Sequence, residues 1–332
     1  MTKIEWTERT WNPIVGCSVV SPGCTSCYAM KMAARIERMG GAPQYDGTTK
    51  DSRAGAVWTG KVALAEKALL APLKRNTPTT YFVNSMGDLF HEDVPDEWID
   101  QVFAIMALCP QHTFQVLTKR SARMREYVDT KPPDGQHLKP AHIFSAGARA
   151  GFWKSTAPFH WPLPNVWLGV SAEDQQRADE RIPDLLATPA AVRFISAEPL
   201  LRRIDLLQPQ FGEVFCNAKC NEHCQARGDE ECPKFFGKID WVIVGGESGK
   251  NARPMHPDWA RSLRDQCAAA GVSFFFKQWG EFVSVSEVEG EGSHFKFPDG
   301  ATVRRIGKKA AGRTLDGHTH SETPNIRTLK ES

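Results

Sequence analysis

Cys17-Ser-Val-Val-Ser-Pro-Gly-Cys24-Thr-Ser-Cys27-Tyr28 places three thiols within eleven residues, and an apolar, helix-patterned run from Tyr28 to Met39 follows. Three thiolates can hold three irons of a cubane iron–sulfur cluster, where four would close it. The fourth iron then stays open to a ligand that is not protein. Two other readings stand beside this one. The loop could bind zinc, because the Cys24-x2-Cys27 half suits that ion and His91 could complete the set. The three thiols could also be unconnected.

A second cysteine group, Cys216-x3-Cys220-x3-Cys224-x7-Cys232, lies among charged residues with little apolar content. Such a stretch cannot easily form a core of its own, and a bound metal would supply the missing stability. Zinc is favoured there over a second iron–sulfur cluster, and an insertion with incidental thiols is the alternative. Cys109 and Cys267 fall in apolar helical patterns and are expected in the core.

These groups need a scaffold. At 332 residues, with 41% hydrophobic and 24% charged residues, the chain has the composition of a globular protein able to bury a core. No apolar run approaches the ~18–20 residues of a membrane span, so no membrane partner is expected. The first residues, Met-Thr-Lys-Ile-Glu-Trp, lack the apolar stretch of a signal peptide. A cytoplasmic location follows as the expectation, with nine cysteines read as metal ligands or buried thiols before disulfides.

Seven β-rich runs are predicted: Trp11–Val15, Thr80–Ser85, Thr113–Thr118, Val166–Ser171, Val192–Ser196, Trp241–Gly245 and Val272–Lys277. A helix is predicted over Asp96–Leu108, with Pro95 as its start signal. Strands alternating with helices, and apolar on both faces, indicate a parallel sheet covered by helices. Polar residues collect where these strands end: Asp88, Lys119, Ser171 with Glu173, Ser196 with Glu198, Glu247 with Ser248, and Lys277 with Gln278. Both a (β/α) barrel and an open doubly wound sheet carry their sites at that end. Thr130–Pro164 reads as a long loop or lid, and Gly290–Ser332 as a loosely structured tail. The expected organisation is a barrel domain over 1–280 with a Cys-rich insertion at 206–238, followed by a C-terminal extension at 281–332.

The cysteine loop and the Met86-Gly87-Asp88 turn resemble the radical S-adenosylmethionine (radical SAM) superfamily over roughly residues 10 to 280. The usual loop reads C-x3-C-x2-C, and here the first gap is three residues longer. Cys24-Thr-Ser-Cys27-Tyr28 matches the remainder. The resemblance implies a partial or full (β/α) barrel, a [4Fe–4S] cluster on Cys17, Cys24 and Cys27, and S-adenosylmethionine bound to the open iron. It also implies an electron donor such as flavodoxin or ferredoxin, and cleavage of S-adenosylmethionine to a 5′-deoxyadenosyl radical. Met86, Gly87 and Asp88 would then receive the methionine ammonium. Ser171, Glu173, Ser196 and Glu198 would serve its ribose or carboxylate, and Gly245, Gly246 and Glu247 its adenosine or the substrate. Either of Glu173 and Glu198 could instead pair with an arginine of the barrel.

More narrowly, Trp11-Asn-Pro-Ile-Val-Gly-Cys17, Phe275-Phe-Lys-Gln-Trp279 and Gly307-Lys-Lys-Ala-Ala-Gly-Arg313 resemble a phage-associated bacterial family of unassigned activity. That family is distantly similar to spore photoproduct lyase, which implies a nucleic-acid substrate and repair of a pyrimidine photolesion in DNA. Lys119, Arg120, Arg202, Arg203 and Arg253 would meet the backbone phosphates, although the net charge is only +2. Two other functions stay open: a radical SAM enzyme acting on a small molecule, peptide or RNA, and a non-enzymatic zinc-binding phage protein.

Overall fold

The computed structural model describes residues 4–53, 55–129, 160–208 and 238–324, together with Ile143 and Ser145. The principal sheet is built from β1 (Arg9–Trp11), β6 (Thr80–Val83), β7 (Thr113–Thr118), β8 (Val166–Ser171), β9 (Val192–Ala197), β10 (Trp241–Gly245) and β11 (Ser273–Gln278). Short strands β2 (Ile14–Val15), β3 (Thr49–Ser52), β4 (Gly55–Trp58) and β5 (Ala63–Leu64) lie between β1 and β6 in the chain. The α-helices among the described residues are α1 (Tyr28–Met39), α2 (Glu66–Leu69), α3 (Asp96–Leu108), α4 (Ser121–Val128), α5 (Gln175–Ala187), α6 (Pro257–Ala270) and α7 (Lys308–Ala311).

The strand order is β1-β6-β7-β8-β9-β10-β11. The chain divides into two compact units, Met1–Val170 with Thr188–Ala191, and Ser171–Ala187 with Val192–Ser332. In the first unit β1, β6, β7 and β8 pair in parallel, and in the second β9, β10 and β11 do the same. The order follows the chain without reversing. A doubly wound sheet reverses at its switch point, whereas the wall of a barrel does not. This is the expected α/β architecture, with a parallel sheet of the order found in a partial barrel.

Apolar composition explains the strands. Every residue of β8 and of β10 is buried, as strands covered on both faces must be. α3 begins where Pro95 cannot extend a preceding helix, with Asp96 and Glu97 in its first turn, where acidic groups complement the helix dipole. α6 takes its first amide bond on the His256 ring and ends at Gly271 in the left-handed conformation (φ 64°). Cys109 and Cys267 are buried in the core as expected.

Two expectations need correction. Trp11–Val15 is not one strand. Pro13 has no amide hydrogen to give a ladder, so β1 stops at Trp11 and Ile14–Val15 pairs antiparallel with Ala63–Leu64. Nor is the segment after Gly290 loose as far as residue 324. β12 (Phe282–Ser284), β13 (Ser293–Lys296) and β14 (Thr302–Arg305) form an antiparallel sheet of order β12-β14-β13. Beyond it, Phe276 donates its amide hydrogen to the His320 carbonyl (3.1 Å), and Ser321 bridges Phe275. The segment therefore covers the open edge of β11, a common protection for a strand edge.

No helix among the described residues is long and apolar enough to cross a membrane. The loop expected at Thr130–Pro164 falls, for residues 130–142, 144 and 146–159, outside the described residues. So do residues 209–237, which hold Cys216, Cys220, Cys224 and Cys232.

Candidate cluster site and the polar strand ends

The cysteine loop leaves the end of β1 and is tied by its backbone to the turn that ends β6. Gly16 donates its amide hydrogen to the Met86 carbonyl (3.1 Å), and Gly16 and Gly87 form a parallel bridge. The Asn12 side chain accepts from the Met86 amide (3.0 Å) and the Ser85 hydroxyl (3.1 Å). Asn84 gives its amide hydrogen to the Trp11 carbonyl (2.7 Å), and its side chain accepts from the Ile14 amide (3.2 Å). Glycine is required at both points of closest approach. A Cβ on Gly87 would stand 2.9 Å from the Gly16 oxygen, and one on Gly16 would stand 2.1 Å from the Lys61 oxygen.

The longer first gap is taken up locally. Pro22–Cys24 forms a single 3-10 turn, and the Cys24 amide bonds the Ser21 carbonyl (2.9 Å). Cys27 then caps α1, which opens at Tyr28, and the Tyr28 hydroxyl donates to the Ser85 carbonyl (2.9 Å). Cys17 and Cys27 pack against one apolar cluster that includes Val15, Met30, Tyr45, Trp58 and Met86. Cys24 is buried, with its sulfur 3.7 Å from the Ser21 hydroxyl.

Arg120, at the start of α4, draws this region together. Its Nη1 lies 3.6 Å from Cys17 Sγ and 3.1 Å from Asp88 Oδ2. Its Nη2 donates to the Ser18 hydroxyl (2.6 Å) and its Nε to Glu92 (2.5 Å). Asp88 in turn accepts from the Thr118 hydroxyl (2.6 Å), the Lys119 amide (3.1 Å) and the Phe90 amide (3.1 Å). His91 completes the ring. Its Nδ1 accepts the Asp93 amide hydrogen (3.1 Å), which leaves the proton on Nε2 to donate to Ser18 (3.0 Å).

The electrostatics follow from this packing. Burial pushes the Cys17 thiol up to about 12, with Asp88 adding to the rise and Arg120 opposing it. Burial also raises Glu92, but the Arg120 hydrogen bond, a backbone hydrogen bond and the charges of Arg120 and His91 together outweigh it and hold the carboxyl down to about 2. His91 is lowered, first by burial and then by the Arg120 charge.

A cubane would take one thiolate on each of three irons, and the loop offers three free thiols, Cys17, Cys24 and Cys27. A zinc ion would draw all its ligands to one centre, at about 2.3 Å for sulfur. Among the described residues no three His, Cys, Asp or Glu side chains are grouped to hold a metal ion.

Ser171, Glu173, Ser196, Glu198, Gly245, Gly246 and Glu247 sit in the second unit, at or just after the ends of β8, β9 and β10. Glu173, fully buried, pairs with Arg181 (3.1 Å), which also donates to the Ser171 carbonyl (2.8 Å). Ser196 is buried, and its carbonyl accepts from the Ala172 amide (3.0 Å). Glu198 is held by Lys277 (2.8 Å) and Gln278 (3.2 Å). Gly245 makes room for that carboxylate, since a Cβ there would lie 3.2 Å from it. Gly246 presses on the Trp279 carbonyl, where a Cβ would come within 1.9 Å. Glu247 pairs with Arg253 (2.6 Å).

Of the basic residues, Arg120 and Arg253 are thus occupied by carboxylates, Lys119 is half-buried, and Arg202 and Arg203 are exposed. Sequence reasoning missed Ser18, Glu92 and Arg181 as partners. Arg181 had one available signal, a cation on the apolar stripe of α5.

A family model described as "Protein of unknown function (DUF5131)" matches residues 1–324. No curated protein and no solved structure matches the chain. With nearly its whole length covered by that model, the chain belongs to the DUF5131 family.

Proposed function

We propose that the chain is a radical SAM enzyme whose [4Fe–4S] cluster is held by Cys17, Cys24 and Cys27, on a partial barrel of that type. The observation that carries this reading is the bond between Gly16 and Met86 (3.1 Å). It joins the cysteine loop to the Met86-Gly87-Asp88 turn, two segments nearly seventy residues apart that the resemblance pairs on either side of one cofactor. When bound, the cluster and S-adenosylmethionine would supply an electron and a carbon radical able to abstract hydrogen from a substrate. The chain's own part is positioning. Gly87 keeps the turn against the loop, Cys17 and Cys27 rest on a shared apolar floor, and Asp88 fixes Arg120 beside Cys17.

For the substrate, we extend the reading to nucleic acid, with a pyrimidine photolesion in DNA as the specific case. Exposed Arg202 and Arg203 support it, because solvent-facing cations can neutralise phosphates. The test is anaerobic incubation of reduced, iron-loaded protein with S-adenosylmethionine and ultraviolet-irradiated DNA, following 5′-deoxyadenosine and dimer loss by mass spectrometry. Formation of 5′-deoxyadenosine with dimer loss is expected. Cleavage of S-adenosylmethionine with unchanged DNA would move the substrate to a small molecule, peptide or RNA, and no cleavage at all would contradict the enzyme reading.

A further inference from the structure

We propose that Arg120 is a positioning residue that donates a hydrogen bond to the sulfur of Cys17 and thereby sets the reduction potential of the cluster which Cys17 helps to hold. The inference rests on the cluster reading above. It starts from geometry: Arg120 Nη1 is 3.6 Å from Cys17 Sγ, and the Arg120 side chain is only 9% exposed. A cation so placed is poorly screened by solvent. Its orientation is over-determined, because Asp88 holds Nη1 (3.1 Å), Ser18 holds Nη2 (2.6 Å) and Glu92 holds Nε (2.5 Å). The guanidinium cannot turn from the sulfur without giving up several bonds at once.

Adding an electron to an iron–sulfur cluster increases the negative charge carried by its sulfurs. A hydrogen bond from a cation to a ligand sulfur therefore favours the reduced form and raises the potential. Asp88 and Glu92 act in the opposite sense. Glu92, 59% exposed, is the more screened of the two. Removing Arg120 leaves both carboxylates uncompensated near Cys17, so the potential must fall. Removing the charge of Glu92 leaves Arg120 more effective, so the potential must rise, and by less.

The experiment compares wild type, Arg120→Met, Arg120→Lys and Glu92→Gln, each loaded anaerobically with iron and sulfide. Iron content is measured first, and the potential is then read by dithionite titration followed by electron paramagnetic resonance. Expected are similar iron contents, a shift to more negative potential for Arg120→Met, partial recovery in Arg120→Lys, and a smaller positive shift for Glu92→Gln. Loosened packing alone would not give shifts of opposite sign. Iron-loaded Arg120→Met titrating at the wild-type potential overturns the inference and leaves the cluster reading standing. Where Arg120→Met does not fold, unchanged potentials in both Arg120→Lys and Glu92→Gln overturn it equally. Wild-type protein that takes up no iron overturns the cluster reading, and this inference with it.

Discussion

The Gly16 amide donates to the Met86 carbonyl at 3.1 Å, and this bond joins the two stretches on which the functional proposal depends. It forms because Gly16 takes a positive φ of 88° and because Gly87 has no side chain to hold the strands apart. The turn and the loop are therefore one backbone unit.

Gly87→Ala tests that unit. The added methyl would meet backbone oxygens of Gly16 at 2.9 Å and Ile14 at 3.0 Å, with no flexible side chain to yield. We expect a loss of about 1–3 kcal/mol in denaturant stability, the usual range for overpacking, and a lower yield of iron-loaded protein. Unchanged stability would mean that the loop and turn do not touch.

Asp88→Ala removes the buried partner of Arg120 and the acceptor for Thr118 and Lys119. Arg120 keeps its bond to Glu92 (2.5 Å), so the loss falls short of the roughly 3–5 kcal/mol of an unpaired buried charge, and the donors left without their acceptor cost about 1–3 kcal/mol. Urea unfolding of the variant should show a loss of that order. A loss under about 1 kcal/mol, the scale of an exposed ion pair, would contradict the buried pairing.

His91 predicts the pH response. Its side chain is 1% exposed and its pKa is lowered below the usual value of 6.5. A histidine lowered in the fold binds fewer protons there than in the unfolded chain, so stability rises with pH across the interval between the two values. The contribution is whole above about 6.5 and fades as pH falls below it. Protonation would also put a hydrogen on Nδ1, where the Asp93 amide donates. Unfolding measured across pH 5 to 8 should show this slope in the wild type and a shallower one in His91→Gln. Parallel curves would refute it.

The nucleic-acid reading places phosphates on Arg202 and Arg203. Affinity for duplex DNA should fall with salt, and the double alanine variant should flatten the log–log slope by roughly 0.9 for each phosphate that is no longer neutralised. Equal slopes would remove these two residues from any such interface.

Much of the scaffold was legible from the residues. Six of the seven predicted runs are strands of the parallel sheet, because Val, Ile, Phe and Trp occupy both faces and polar residues mark the ends. Pro13 was the available warning that Trp11–Val15 could not be one strand. The segment after Gly290 misled through composition. Its glycines serve turns of positive φ at Gly290, Gly292, Gly300 and Gly307, while Val303 and Leu315 are buried. In the site, the cysteine loop and the turn could be named, but not the role of Arg120. Whether that side chain meets solvent or Asp88 depends on how the ends of β6 and β7 are juxtaposed, which local spacing does not encode. Glu198 shows the same limit, since its partner Lys277 comes from a strand 79 residues on, whereas Glu173 pairs with an arginine as expected, Arg181, and Glu247 with Arg253, only 6 residues away.

The measurement that bears most directly on the central claim is the iron and sulfide content of anaerobically prepared protein, in wild type and in Cys24→Ala. Cys24 is buried in its own turn, so its loss should remove the cluster while circular dichroism still reports a folded chain. About four irons and four sulfides per chain are expected in the wild type, with a broad brown absorbance that is lost in the variant. Iron-free wild-type protein, or full iron retained by Cys24→Ala, would contradict that claim.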